Sequence, residues 1–224
     1  MSIESAGVLP DSIYESLRAS ILDQRDAPGM TVTESAVAVR YGVARPTAKI
    51  AIERLVAEGL LRREVHRAAR VPELDRDDIV DLFENRATVE SAALAALARR
   101  GTIPAAALAA HHALLERARS DSSFAQQDIA FHRELVAGQP SARLARMHAL
   151  LMGEVELCIG QVQAHQLLTA RDVAAQHQGI LDAVTAGDAA TAARLTREHI
   201  DGTRERLLAH YDSTHEPAKE TRSW

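Results

Sequence analysis

The chain has 224 residues, 46% hydrophobic and 25% charged, with a formal net charge of −5, values that fit a globular protein of one large or two modest domains. Its single cysteine, Cys158, excludes an intrachain disulfide and any zinc-finger arrangement, and no apolar run approaches the roughly 18 to 20 residues of a membrane span. A cytoplasmic protein with no membrane partner is therefore expected, and the low aromatic content (3%) with abundant alanine predicts a mostly α fold.

In chain order, Ser12 to Gln24 places Ile13, Leu17 and Ile21 at helical spacing. After "DAPGM", the stretch "TESAVAVRYG" reads as a second helix with Thr33 as N-cap and Gly42 at its end. "VARPTAKIAIERLVAEG" follows, with Pro46 in the first turn, an inner stripe of Ala48, Ala51, Ile52 and Leu55, and Gly59 as the stop. Two short helices across a glycine turn make a helix-turn-helix, and Arg45, Thr47 and Lys49 fall near the start of its second helix, where base edges and phosphates are met. "LLRREVHRAARVPEL" predicts a β-hairpin wing around His66 to Ala68, bearing Arg62, Arg63, Arg67 and Arg70. From Arg40 to Arg70 eight basic residues face three acids, so a basic head sits on an acidic body, the footprint of a DNA-binding module.

The polar "PELDRDD" places a domain boundary near Leu74. Beyond it, helical periodicity recurs over about six segments, at residues 75–100, 104–119, 122–137, 140–166, 169–186 and 189–211. This predicts an all-α bundle over 75–212, with 213–224 as a disordered tail.

Within the third of these segments, QDIAFHRELV sets Asp128 and His132 four residues apart. About three such acid–histidine pairs are expected by chance in this composition, so the spacing alone is uninformative. The wheel is more telling: Phe124, Asp128, Phe131, His132 and Leu135 share one arc, opposite Gln126, Gln127, Arg133 and Glu134. His177 lies on the apolar stripe of Val173, Ile180, Leu181 and Val184, and His199 lies beside Ile200. One acid and three imidazoles thus point inward, where a divalent cation or a direct Asp128–His132 ion pair are the two ways of satisfying them.

Two resemblances follow from these residues. Val32, Glu34, Val37 and Ala38, then "GVARPTAKIAIERLVAEGL" from Gly42 to Leu60 and "RAARV" from Arg67 to Val71, resemble the winged helix-turn-helix of the GntR-type transcription regulators. The chain departs from that pattern at Lys49 (usually Arg), Ile50 (usually an acid) and Ala68 (usually Gly). The resemblance implies DNA contacts by Arg45, Thr47, Lys49 and Arg67.

"ENRATVE" with Arg86 and Glu90, "DIAFH", "AGQPSARL", and histidines 22 apart at 177 and 199 resemble the FCD domain, the FadR-like ligand-binding domain of these regulators. That resemblance implies a six- or seven-helix bundle in which Asp128, His132, His177 and His199 hold a divalent metal such as Zn, Ni or Mn. It also implies a small carboxylate metabolite at the metal's open positions with Arg86 as its clamp, the alternative for Arg86 being a pair within the chain with Glu90 or Glu84, and a homodimer on palindromic operator DNA, acting in repression. The expected function is a metabolite-responsive DNA-binding transcription regulator and not an enzyme. The alternatives are a metal-responsive or merely metal-stabilised regulator and a metal-dependent enzyme.

Overall fold

In the computed structural model, residues 10–120 and 124–215 are described. The N-terminal head consists of α1 (Pro10–Leu22), β1 (Thr31–Val32), α2 (Glu34–Tyr41), α3 (Arg45–Ala57) and β2 (Ala69–Arg70). Thr33 caps α2 by accepting the Ala36 amide at 3.1 Å, and Gly42 ends it in the left-handed region at φ 67°, a conformation that glycine adopts without strain. The resulting tight turn lets α3 lie across α1 and α2 over a core of Ile13, Leu17, Ile21, Val37, Ala48, Ile52 and Leu55. The small stripe of Ala48 and Ala51 permits that close packing. Buried Asp26 takes both a 2.8 Å and a 2.9 Å bond from Arg40, tying α2 to the loop after α1.

The wing differs from the expected hairpin around His66 to Ala68. Its strand is Ala69–Arg70, paired antiparallel with Thr31–Val32, and an antiparallel bridge between Arg62 and Arg70 links it to the preceding arm. Central Glu64 to Ala68 makes no ladder, and His66 adopts φ 63°. A two-residue strand can pair with β1 because Val32 and Ala69 are both buried in the head core.

Six helices make the bundle among the described residues: α4 (Arg76–Arg100), α5 (Ala105–Ser120), α6 (Ala125–Ala137), α7 (Ala142–Ala164), α8 (Ala170–Thr185) and α9 (Ala189–His215). An Asp75/Asp78 capping box starts α4, and Gly101 stops it at φ 60°. The helix α9 continues through 213–215, the first three residues of the expected tail; 216–224 lie outside the described residues, as do the first two positions of the segment expected at 122–137. Two apolar clusters fill the bundle. One holds Phe83, Met152, Val155, Val173 and Ile200, the other Leu94, Leu97, Phe131, Leu135, Ile180 and Val184. Cys158 belongs to the first, and burial pushes its thiol up to about 12, so it is an inert core side chain.

Head and bundle meet backbone to backbone. A Cβ on Gly153 of α7 would stand 1.9 Å from the Glu58 carbonyl oxygen, so only glycine fits there. Around this contact Arg62 forms a fork on Glu154 (2.9 and 2.7 Å), and buried Glu156 joins Arg18 of α1 to Arg133 of α6. Gly153→Ala is therefore expected to lower stability in equilibrium denaturation by roughly 1–3 kcal/mol despite alanine's better helix propensity. Gly160→Ala on the same helix, whose Cβ would lie 3.9 Å from its nearest neighbour, is expected to be neutral or slightly stabilising. Equal effects of the two substitutions would contradict the close approach.

Candidate metal centre

The polar groups occupy a layer between the two apolar clusters. Each is set there by its helix: Asp128 and His132 by the buried arc of α6, His177 by the stripe of α8, His199 by the face of α9 that carries Ile200. One ligand atom from each of these four buried residues lies within 4.8 Å of all the others. The His177 Nε2 stands 3.2 Å and the His132 Nε2 3.7 Å from Asp128 Oδ1, and the Nε2 atoms of His132 and His199 are 3.1 Å apart.

Hydrogen bonds at the back of two rings decide their tautomers. His132 Nδ1–H donates to Glu90 Oε2 at 2.6 Å, and His199 Nδ1–H donates to Gln176 Oε1 at 2.7 Å. With each ring neutral, both Nε2 atoms present lone pairs, and two lone pairs at 3.1 Å cannot bond to each other. Asp128 Oδ1 and both nitrogens of His177 are buried without a hydrogen-bond partner among the described residues, the 3.2 Å approach being misaligned. Acceptors that converge on one point without a donor suit a cation, and bonds of about 2.1 Å would place neighbouring ligands about 3 Å apart. The set fits a divalent metal. The direct Asp128–His132 ion pair is the poorer description, because its 3.7 Å separation leaves Asp128 Oδ1 unsatisfied.

Electrostatics agree with that donor set. Burial pushes His177 down to about 4 and His199 well below its ordinary value, so both are neutral near pH 7. Burial would raise the Asp128 carboxyl, but His177 and His132 beside it outweigh burial and hold it below the usual carboxylate range. Neutral imidazoles and an ionised carboxylate are the protonation states a metal needs.

Behind this layer Glu90 of α4 is fully buried. Its Oε1 accepts from Arg86 Nε at 2.8 Å and His148 Nε2 at 2.9 Å, and its Oε2 accepts from His132. Burial raises this carboxyl too, yet His132 and Arg86 bring it well below its ordinary value. The expected clamp Arg86 thus spends only Nε on Glu90. Its Nη1 and Nη2 are buried with no partner among the described residues.

The Arg86–Glu90 pair was open to sequence reasoning, but His148, Gln176 and the bonds of Glu90 to His132 and His148 escaped it. A signal for His148 was present, since it heads the buried α7 series His148, Met152, Val155, Ile159 and Val162 at helical spacing.

The residues expected to touch DNA fall elsewhere. Arg45 and Lys49 stand exposed on α3 and Arg67 on the wing, while Thr47 is half-buried. Each cation has an acidic neighbour, Arg45 with Glu34 at 3.9 Å, Lys49 with Glu53 at 3.5 Å and Arg67 with Glu64 at 3.1 Å, and all three stay exposed.

Residues 9–71 match the family described as bacterial regulatory proteins, gntR family, and residues 81–202, more than half the chain, match the FCD domain. The chain is a GntR-family regulator with an FCD domain. It is a DNA-binding transcription regulator and not an enzyme. This GntR regulator is 28% identical to BphR of Paraburkholderia xenovorans, with 86% of this chain and 82% of that one covered. It is 28% identical to GlaR, an HTH-type transcriptional repressor of Escherichia coli (84% and 90% covered), and to a probable D-xylose utilization operon repressor of Paenarthrobacter nicotinovorans (77% and 76%). Among solved structures, a GntR regulator of Rhodococcus superposes with a TM-score of 0.70 at 23% identity, covering 90% of this chain and 98% of that one. Escherichia coli McbR/YncC gives 0.68 at 16%, with the same coverage. At these identities the superpositions speak for the fold. No helix of the described residues is long and apolar enough to cross a membrane.

The metal-free protein has a pH signature of definite sign. His177, ionising near 4 when folded and near 6.5 when unfolded, binds fewer protons in the folded state between those values. Stability is therefore full above about pH 6.5 and falls as the pH drops toward 4, by on the order of 3 kcal/mol from this group. Asp128 and Glu90, both depressed, add losses of the same sign below about pH 4. Urea midpoints measured in chelator from pH 8 to 4 should show the decline, and His177→Gln should flatten its upper part; a midpoint independent of pH would contradict a buried neutral His177.

Proposed function

We propose that this regulator binds a divalent metal through Asp128, His132, His177 and His199, and a small carboxylate effector at the metal's open positions. Arg86 holds the effector's carboxylate, and the bound state alters operator affinity. The observation that carries the reading is Arg86, whose two terminal nitrogens are buried without a partner among the described residues, beside an inward-facing Asp/His cluster. An orphaned guanidinium fork at 0% exposure is a strong unmet demand for an oxyanion, and a carboxylate matches it bidentately. The metal, when bound, supplies positive charge and open coordination positions for the same anion. No residue needs to move protons for this task, and the site's imidazoles are all committed as ligands or to Glu90.

The path to DNA runs along α7. Its His148 grips Glu90, which grips Arg86 and His132, and about one and a half to two turns later Gly153, Glu154 and Glu156 carry the head. A ligand that redirects Arg86 or Glu90 thereby biases the seat of Glu58, Arg62 and Arg18. Only such a difference between ligand-free and ligand-bound states can change operator affinity. Arg62 is fork-bonded to Glu154, so its engagement with the bundle and with phosphate are alternatives. The proposed assembly is a homodimer on a palindromic operator, with Arg45, Thr47, Lys49 and Arg67 in contact and the head ending near Leu74. Repression is the proposed mode, as two relatives are named repressors.

A thermal-shift panel of mono- and dicarboxylates, run on metal-loaded and on chelated protein, tests the reading. At least one carboxylate should raise Tm of the loaded protein, by the equivalent of about 2.7 kcal/mol at a hundredfold excess over Kd, and none should do so after chelation. Arg86→Lys should lose that shift while retaining metal. If no carboxylate binds and metal alone changes affinity for operator DNA, the metal is itself the signal. In a second measurement His177→Ala should abolish metal-dependent stabilisation and leave the DNA head folded. Unchanged metal content in that variant would defeat the four-ligand assignment.

A further inference from the structure

The exposed side of α3 carries a residue that neither the core nor phosphate binding accounts for. Ile50 is 54% exposed, although it sits in the middle of the second helix of the helix-turn-helix. At 100° per residue, buried Ala48, Ala51, Ile52 and Leu55 share one arc of α3, and Pro46, Lys49, Ile50 and Glu53 share the exposed one, with Arg45 at its edge. Pro46 precedes Ile50 by four residues, so an apolar ridge one turn long runs beside the cations Arg45 and Lys49.

The flanking charges show what this face meets. On the far side of Ile50, Arg54 is committed to the head: its guanidinium lies 3.6 Å over the Tyr14 ring and bonds Asp11 and Glu58 at 3.2 Å. Arg45 and Lys49 are held only across 3.9 and 3.5 Å in exposed pairs, which are weak and readily exchanged for phosphate. The ridge thus runs beside two cations of α3, Arg45 and Lys49, whose weak pairs leave them available to DNA. In the major groove the 5-methyl of thymine is the apolar group that a base edge presents.

We infer that Ile50 packs against a thymine methyl in the operator half-site and is a specificity-determining residue for this regulator. It rests on DNA recognition through α3 and is independent of what the bundle binds. An aliphatic side chain here gains contact area from a T·A pair and nothing from cytosine, which lacks the methyl, so α3 discriminates at one base pair without a hydrogen bond. The charged neighbours position the helix and contribute affinity that does not depend on this base pair.

The test uses duplexes that the full-length protein enriches from a random-sequence pool. In the enriched half-site each thymine is replaced in turn by uracil, which removes only the methyl. At one position per half-site, uracil should weaken wild-type binding about fourfold, the effect of one buried methyl group, and should leave Ile50→Ala binding unchanged. Ile50→Val should keep the sensitivity, and circular dichroism should match wild type for both variants because the side chain supports no core. Equal uracil effects in wild type and Ile50→Ala at every position, or no position where the methyl matters, would overturn the inference.

Discussion

A carboxylate at zero exposure survives only if its oxygens are saturated, and Glu90 is the group on which the interior of this bundle depends. Its partners come from three helices: Arg86 from its own α4, His132 from α6 and His148 from α7. Satisfying Glu90 therefore fixes where these helices lie relative to one another. It also fixes the His132 tautomer, since the proton held at Nδ1 turns a lone pair at Nε2 toward Asp128 and His199. One buried acid thus positions a second polar cluster, which it touches through His132.

The cluster so positioned is under-satisfied. Asp128 Oδ1, His177 Nε2 and the two terminal nitrogens of Arg86 lie in the interior without partners among the described residues, between two well-packed apolar clusters. Apolar side chains of similar volume in their place would leave no polar group unsatisfied, so this layer carries a cost in stability that a packed apolar layer would not. The same physics makes binding informative: groups left unsatisfied in the free state gain most from a ligand that completes them. Because α7 bears both His148 and the glycine on which the head rests, interior and DNA-binding surface share one rigid element.

Much of this was legible in the sequence because it depends on helical periodicity. The wheel placed Asp128 and His132 on a buried arc, and the stripes placed His177 and His199 inward; all four are buried and adjacent. Thr33, Gly42 and the Ala48/Ile52 stripe outlined the head through capping and spacing alone. Features that join distant segments were not legible. Glu90 reads as an ordinary i,i+4 partner of Arg86 until α6 and α7 are folded over it, and Gly153 reads as a weak point in a helix until Glu58 is seen against it. The wing strand pairs with a two-residue segment some forty residues upstream, a choice made by the head core and not by local propensity.

The central claim is that the Asp128/His132/His177/His199 layer is a metal site organised by Glu90. X-ray absorption at the metal edge of full-length protein, dialysed against a stoichiometric mixture of zinc, nickel and manganese, tests it most directly. One ion per chain, in a shell of imidazole nitrogens with one carboxylate oxygen, is the expected result. A substoichiometric ion, or a shell without imidazole, would contradict it.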